Sequence, residues 1–140
     1  MTAFIDASIL MYVAGAEHPL RESCVRVMRA IDGRVLEATT SVEVVQEVLH
    51  RYLSIGRSAG GIAVAEQVMD TFAPVLPITH ALVRRMPDLA RRYPALSARD
   101  LLHVATCIHE GITEIISTDR GFDQVQEVRR IPPETFGPAS

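Results

Sequence analysis

The chain has 140 residues, a length that suits one domain with one hydrophobic core. Its hydrophobic fraction of 48% excludes a disordered protein, and no apolar run approaches the roughly 18 residues of a membrane span. The net charge of −3 argues against a protein that binds nucleic acid through bulk charge. All fourteen basic residues are arginine, which binds phosphate well, although a GC-rich genome is the simpler explanation.

The start of the chain and the two cysteines indicate a cytoplasmic protein. Residues 1–6 carry neither a basic region nor a long apolar segment, so we expect no signal peptide. Cys24 and Cys107 both fall in apolar helical patterns, where we expect buried, reduced thiols.

Short apolar runs alternate with helical spacings along the chain. We predict strands at 2–5, 35–39, 74–78, 115–116 and 128–131. We predict helices at 8–14, 20–31, 41–56, 62–72, 79–90, 97–111 and 119–125, with Ser8, Ser41, Thr79 and Ser97 as N-caps. Pro87 is expected to divide or kink its helix, and the glycines in 54–61 mark a turn.

This alternation predicts an α/β fold with a short, mostly parallel central sheet flanked by helices. The pattern shows neither a repeat nor a domain boundary, so we expect a single domain over residues 1–131. Pro132 and Pro133 end the predicted packed fold, and residues 132–140 are expected to form a C-terminal surface tail.

Five acidic residues stand where the chain reverses direction: Asp6, Glu47, Asp100, Asp119 and Asp123. Asp6 directly follows a predicted buried strand, and Asp119 and Asp123 follow the apolar run 115–118. Open α/β folds place their chemistry at this edge of the sheet. Because converging carboxylates repel one another, and because oxygen ligands suit hard cations, the pattern predicts a site for Mg²⁺ or Mn²⁺.

Most of these acids also have an ordinary structural explanation. Asp100 stands three residues after Ser97, at capping-box spacing, and Asp119 and Asp123 suit the start of a helix. Glu43 lies four residues before Glu47 on the same helix face, and the residues alone do not separate the two. Asp6 is different, because an acid behind a buried strand is costly unless it has a partner, so we favour a functional role.

His103 shares a helix face with Asp100 and Cys107, a combination that raises the question of zinc. No Cys-x-x-Cys or His-Glu-x-x-His pair supplies further ligands, so a structural histidine or a substrate contact is the better interpretation. His50 follows Glu47 by three residues, and we expect it on a solvated helix face.

Four blocks of the sequence resemble the PIN-domain nucleases, and more narrowly the VapC-type toxins of bacterial and archaeal toxin–antitoxin pairs. These blocks are Phe4 to Ser8, Leu96 to Asp100, His103 to Thr106 and Ile116 to Asp123. The order of elements matches over essentially the whole chain, while the region 54–95 follows no motif of the family. The resemblance implies a PIN-like three-layer fold.

The resemblance also implies which residues form the site. The four acidic positions of the family's site correspond to Asp6, Glu47, Asp100 and Asp119, with Asp123 as a supplementary metal ligand. Counting six residues from Ser41 favours Glu47 over Glu43. The family's supporting polar positions fall on Ser8 and Ser117. Arg99 and Arg120 are candidates for contacts to the RNA backbone.

The activity implied by the resemblance is a metal-dependent endoribonuclease that uses one or two Mg²⁺ or Mn²⁺ ions and leaves 5′-phosphate and 3′-hydroxyl products. The implied partners are an RNA substrate, tRNA or rRNA, a small cognate antitoxin and a second copy of the chain in a homodimer.

Three alternatives remain open from the sequence. A PIN-like nuclease of RNA processing or DNA repair would have no antitoxin. A non-catalytic binding module would keep the fold but not need the acids. A phosphatase of another α/β fold is disfavoured, because Asp6-Ala7-Ser8 lacks the second aspartate of an Asp-x-Asp pattern.

Overall fold

A computed structural model describes residues 1–137 of the protein. Its strands are β1 (Ala3–Ile5), β2 (Ala38–Thr39), β3 (Glu114–Ile116) and β4 (Arg129–Ile131). They form one parallel sheet in the order β2–β1–β3–β4. Phe4 on β1 is in register with Thr39 on one side and Ile115 on the other.

Helices flank this sheet. They are α1 (Ala7–Ala14), α2 (Arg21–Asp32), α3 (Val42–Ser54), α4 (Ser58–Thr71), α5 (His80–Val83), α6 (Met86–Arg92) and α7 (Ala98–Glu110), with 3₁₀ helices at Arg120–Gln124 and Pro133–Phe136. Pro87 lies in the first turn of α6 and divides the predicted helix 79–90 as expected. Across residues 1–137, the helices are all too short or too polar to cross a bilayer.

The two central strands are buried on both faces. Phe4, Ile5, Ile115 and Ile116 have no solvent exposure, and they belong to one continuous hydrophobic core. Helices cover both faces of an all-parallel sheet, so such strands read as unbroken apolar runs rather than as an alternating pattern. The predicted α/β class, with a short parallel sheet flanked by helices, is confirmed.

Side-chain caps define where several helices begin. Ser41, Thr79 and Ser97 cap α3, α5 and α7 as predicted, each accepting a hydrogen bond from the backbone N–H three residues later. The prediction that Ser8 caps α1 is wrong. Asp6 is the cap, and its Oδ1 accepts a hydrogen bond from the first N–H of the helix at 2.9 Å.

Two predicted strands are shorter in the structure. The strand predicted at 35–39 is limited to β2, because the N–H groups of Val35 and Leu36 donate to the carbonyl of Ala30 and close the end of α2. The strand predicted at 74–78 is wrong. Only Leu76 pairs there, in a single bridge to Ser41, because the flanking prolines have no N–H to continue a ladder.

The C-terminal segment is more ordered than the sequence predicts. Residues 133–136 form a 3₁₀ helix against α2, with Pro133 buried and Phe136 packed on the core. The prediction of a surface tail is therefore wrong for 132–137, because the aromatic ring of Phe136 anchors this segment. Residues 138–140 lie outside the described part of the chain.

A close approach between α3 and α4 depends on one of two adjacent glycines. A Cβ added at Gly61 would lie 2.5 Å from the Cβ of Tyr52, whereas one added at Gly60 would lie 3.9 Å from the Tyr52 ring. We expect Gly61→Ala to lower the free energy of unfolding by about 1–3 kcal/mol, because the two helices must separate. Urea denaturation measures this loss.

Gly60→Ala is the matched control, since it adds the same methyl group to the same helix without a clash. We expect it to leave stability unchanged or to raise it by up to about 1 kcal/mol. Equal stability of the two variants would contradict the described packing of α3 on α4.

Candidate metal centre

A cleft of about 960 Å³ opens at the carboxyl ends of β1 and β3. Four of the predicted acids line it: Asp6, Glu47, Asp100 and Asp119. Asp6 directly follows β1 and Asp119 lies just beyond β3, while Glu47 comes from α3 and Asp100 from the first turn of α7. Parallel strands end at the same edge of a sheet, which explains why acids far apart in sequence meet here.

Asp6 is the most buried of the four acids, with 5% of its surface exposed. Its Oδ2 accepts hydrogen bonds from the hydroxyls of Ser117 at 2.6 Å and Ser8 at 3.1 Å. Burial raises the pKa of Asp6, although the nearby His103 and the Ser117 hydroxyl act in the opposite direction. The carboxylate is thus fixed in place, at an energetic cost to its charged form.

The two predicted supporting serines connect Asp6 to the loop that follows β3. The Ser117 hydroxyl also accepts a hydrogen bond from the N–H of Asp119 at 2.9 Å, and the Ser8 hydroxyl accepts one from the N–H of Thr118 at 3.2 Å. This network sets the position of Asp119 relative to Asp6. Asp119 also caps the following 3₁₀ helix, as its Oδ1 accepts from the Gly121 N–H at 2.8 Å.

The structure places Glu47, and not Glu43, among the residues that line the cleft. Glu47 Oε2 accepts a hydrogen bond from His103 Nε2 at 3.2 Å. Arg99 lies between the two glutamates, with Nη1 at 3.6 Å from Glu47 and Nε at 3.6 Å from Glu43. The structure therefore distinguishes Glu47, which lines the cleft, from Glu43, a distinction that the residues alone do not make.

His103 is completely buried and lies between two of the acids. Its Nε2 is 3.2 Å from Glu47 Oε2 and 3.7 Å from Asp6 Oδ1, while its Nδ1 has no hydrogen-bond partner in the described chain. Burial lowers its pKa, but the hydrogen bond to Glu47 and the charge of Asp6 outweigh that effect and raise the pKa overall. A substrate contact is excluded by this burial. His103 acts instead as an internal hydrogen-bond donor to the acids.

Burial and the neighbouring acids both act on Asp100. Burial, followed by the charges of Asp119 and Asp6, raises the pKa of Asp100 to about 6. Its backbone N–H donates to the Ser97 hydroxyl, so the helix-capping interaction and the position in the cleft coexist. The structural and functional explanations of Asp100 are thus compatible.

Asp123 is not brought into the cleft. Its two carboxylate oxygens accept hydrogen bonds from Arg130, at 2.8 Å and 3.3 Å, and this cation lowers the pKa of Asp123. Arg130 also donates to the backbone carbonyl of Ser117 at 3.0 Å. The contact seen for Asp123 is therefore an ion pair that supports the loop after β3, and metal ligation by Asp123 stays a prediction.

The carboxylate oxygens in the cleft are suitable ligands for a hard divalent cation. Carboxylate oxygens of Asp6 and Glu47 lie within 4.8 Å of each other, beside His103, and the carboxylates of Asp100 and Asp119 line the same cleft. Carboxylate oxygens are the ligands that Mg²⁺ and Mn²⁺ prefer. After burial, the charges of Asp119 and Asp6 contribute to the raised pKa of Asp100, as expected where converging carboxylates are only partly offset.

Sequence reasoning did not identify two counter-ions of this site. His103 of α7 contacts Glu47 of α3, which lies 56 residues earlier in the chain. Arg99 of α7 pairs with both Glu47 and Glu43 of α3. The i, i+3 spacing of Asp100 and His103 was a usable signal, because it places both on one helix face. Nothing in the sequence indicates that α3 packs opposite that face.

Comparison with known proteins agrees with this architecture. The family model described as PIN domain matches residues 3–128. Ribonuclease VapC13 of Mycobacterium tuberculosis is 35% identical over 127 residues, which cover 91% of this chain and 97% of that protein. Ribonuclease VapC7 of the same species is 30% identical over 137 residues, 97% of this chain and 94% of that protein.

Solved structures show the same fold at low sequence identity. Mycobacterium tuberculosis VapC20, a sarcin–ricin loop cleaving toxin, superposes with a TM-score of 0.75 at 17% identity, covering 91% of this chain and 97% of that one. Rickettsia felis VapBC2, bound to a DNA fragment from its promoter, gives a TM-score of 0.76 at 12% identity, covering 94% and 98%. The chain therefore belongs to the PIN-domain family and, within it, to the VapC ribonucleases.

The raised pKa of Asp100 predicts a pH-dependent stability in the absence of metal. The pKa of Asp100 is 3.8 in the unfolded chain and about 6 in the folded one, so the folded protein binds more protons between these pH values. The free energy of unfolding therefore falls as the pH rises through this window. With EDTA at pH 7, we expect Asp100→Asn to be more stable than wild type by about 1–2 kcal/mol, because solvent screening at this partly exposed carboxyl reduces the effect of the pKa shift. Loss of a favourable interaction with the α7 dipole offsets about 0.3–1 kcal/mol of this gain. Thermal unfolding at pH 4 and pH 7 measures the difference, which we expect to vanish at pH 4.

Asp123→Asn provides the control of opposite sign, because Arg130 favours the charged form of Asp123. We expect it not to raise the melting temperature at either pH. An Asp100→Asn protein no more stable than wild type at pH 7 would show that the acids are not crowded as described.

Proposed function

We propose that the protein is a metal-dependent endoribonuclease and the toxin of a VapBC toxin–antitoxin pair. The convergence of Asp6, Glu47, Asp100 and Asp119 in one cleft is the observation that carries this proposal. The names of its relatives, Ribonuclease VapC13 and Ribonuclease VapC7, support the reaction class. We place its action in the cytoplasm, where its RNA substrate is found.

The residues divide into those that hold a cation and those that fix them. Asp6, Asp100 and Asp119, with Glu47, would hold one or two Mg²⁺ or Mn²⁺ ions, which when bound activate a water molecule and offset the charge of the scissile phosphate. Ser117 and Ser8 hold the Asp6 carboxylate, while His103 holds Glu47.

The chain's own groups explain why no further base is needed. Lysine is absent, and His103, which contacts Glu47, is buried and committed to that contact. The carboxylates orient a water molecule and accept its proton, and the products carry a 5′-phosphate and a 3′-hydroxyl.

Partners follow from membership of the VapC group and belong to the same proposal. A small antitoxin would bind the toxin, in keeping with the similarity to the VapBC2 structure, and two copies of the chain would form a homodimer. The similarity to VapC20 favours a structured RNA loop in rRNA or tRNA as the target. A stand-alone processing or repair nuclease is the alternative, and release of activity from a co-purified antitoxin separates the two.

Removal of single acids tests the catalytic site. We expect Asp6→Asn, Asp100→Asn and Glu47→Gln each to lower the rate of RNA cleavage at least about a hundredfold, because each takes one oxygen ligand away. EDTA is expected to stop cleavage by the wild-type protein, and added Mg²⁺ or Mn²⁺ to restore it. Cleavage of end-labelled total RNA, with mapping of the cut sites, provides the rates and the target.

Glu43→Gln is the matched control, since it makes the same chemical change four residues from Glu47 and outside the cleft. We expect it to retain activity within a few-fold of wild type. Full activity in Asp100→Asn, or a greater loss in Glu43→Gln than in Glu47→Gln, would overturn the assignment of the site.

A further inference from the structure

We propose that the cleft continues beyond the acids as a binding track for a single-stranded segment of RNA, formed by Tyr12 and His18 on one wall and by Arg51 and Arg57 on the other. This inference rests on the proposed ribonuclease function. It concerns substrate binding, and every residue of the track lies outside the carboxylate cluster.

Two helices carry the walls of the cleft away from the acids. On α1 the cleft is lined at helical spacing i, i+3, i+4 and i+7 by Ser8, Met11, Tyr12 and Gly15. On α3 the same spacing brings in Glu47, His50, Arg51 and Ser54. Each series presents one continuous helix face, about 10 Å long, that begins beside the acids. The cleft therefore extends from the acids at one end along the two helix faces, away from the carboxylate cluster.

The distal end of the α3 wall is positively charged. Arg51 stands one helical turn beyond Glu47, and Arg57 follows at the turn into α4. Within residues 1–137 neither arginine has a carboxylate within salt-bridge distance, in contrast to Arg99 and Arg130. Both guanidinium groups are exposed and available to an anion.

Tyr12 of α1 and His18, in the loop after it, supply an aromatic surface in the same cleft. The rings of Tyr12 and His18 lie 4.7 Å apart, centroid to centroid, at 41°. The His18 ring is oriented because its Nδ1 accepts a hydrogen bond from the Leu20 N–H at 3.1 Å. A half-buried tyrosine beside a fixed imidazole is a preformed surface on which an unpaired base can stack.

The arginines and the aromatic pair would compensate for the repulsion between the acidic site and its RNA substrate. Carboxylates repel the phosphates of RNA, and bulk charge does not help, because the net charge of the chain is −3. Unpaired arginines along the same cleft attract the phosphates next to the scissile one, while the aromatic pair selects a strand with an exposed base. Double-stranded RNA, whose bases are stacked inside the helix, does not offer that contact.

Equilibrium binding without metal tests the track separately from catalysis. The probe is a fluorescent, unstructured 12-nucleotide RNA of mixed sequence, titrated by anisotropy with EDTA present at several salt concentrations. We expect Arg51→Gln and Arg57→Gln each to weaken binding about tenfold. Each is also expected to reduce the slope of log K against log salt by about 0.7, as one phosphate contact is lost.

Arg91→Gln is the matched control for charge, because Arg91 is exposed, has no salt bridge in the described residues and lies outside the cleft. We expect it to change neither the affinity nor the salt slope. For the aromatic wall, Tyr12→Leu is expected to weaken binding at least about fivefold, and Tyr12→Phe, which keeps the ring, to bind as wild type does. Circular dichroism confirms that each variant is folded.

The outcomes separate the track from the proposed function. If the wild type cleaves RNA but both arginine variants bind like Arg91→Gln, the track is overturned and the ribonuclease stands. A protein that neither binds nor cleaves RNA overturns both. Equal affinity for a duplex RNA of the same length would overturn the assignment to a single strand.

Discussion

Repulsion among four carboxylates in one cleft is the constraint on which the rest of this structure depends. Asp6, Glu47, Asp100 and Asp119 come from four separate elements, and no local preference of the chain brings them together. The hydrophobic core does so, because the central strands β1 and β3 are buried and end at the same edge. Burial, followed by the charges of Asp119 and Asp6, raises the pKa of Asp100 and makes its charged form costly.

The chain offsets this cost only in part. His103 donates to Glu47 from a fully buried position, Arg99 lies between Glu47 and Glu43, and two serine hydroxyls donate to Asp6. These contacts fix where the carboxylates are without neutralising all of them. In the function that we propose, a divalent cation would complete the balance, and the residual charge that destabilises the metal-free fold would give the cleft its affinity for metal.

The sequence predicted the fold class, three helix caps and the acids of the cleft for identifiable reasons. Buried strands are unbroken apolar runs, Ser41, Thr79 and Ser97 precede helical spacing directly, and Asp6 and Asp119 stand immediately behind strands. The predictions that were wrong concern segments whose structure depends on tertiary contacts. The packing of Phe136 on the core and the single bridge at Leu76 both depend on residues distant in sequence. The residues alone leave Glu43 and Glu47 open, the resemblance favours Glu47, and the contact of Glu47 with His103 of α7 agrees with that choice.

Calorimetric titration of Mn²⁺ into the metal-free protein at pH 6, in two buffers of different ionisation enthalpy, tests the central claim most directly. The two buffers together give the number of protons released on binding. If burial and crowding raise the pKa of Asp100 and the cation relieves them, binding must displace a substantial fraction of one proton, and Asp100→Asn must reduce that release. Binding without proton release, or no binding of Mn²⁺ at all, would contradict the account.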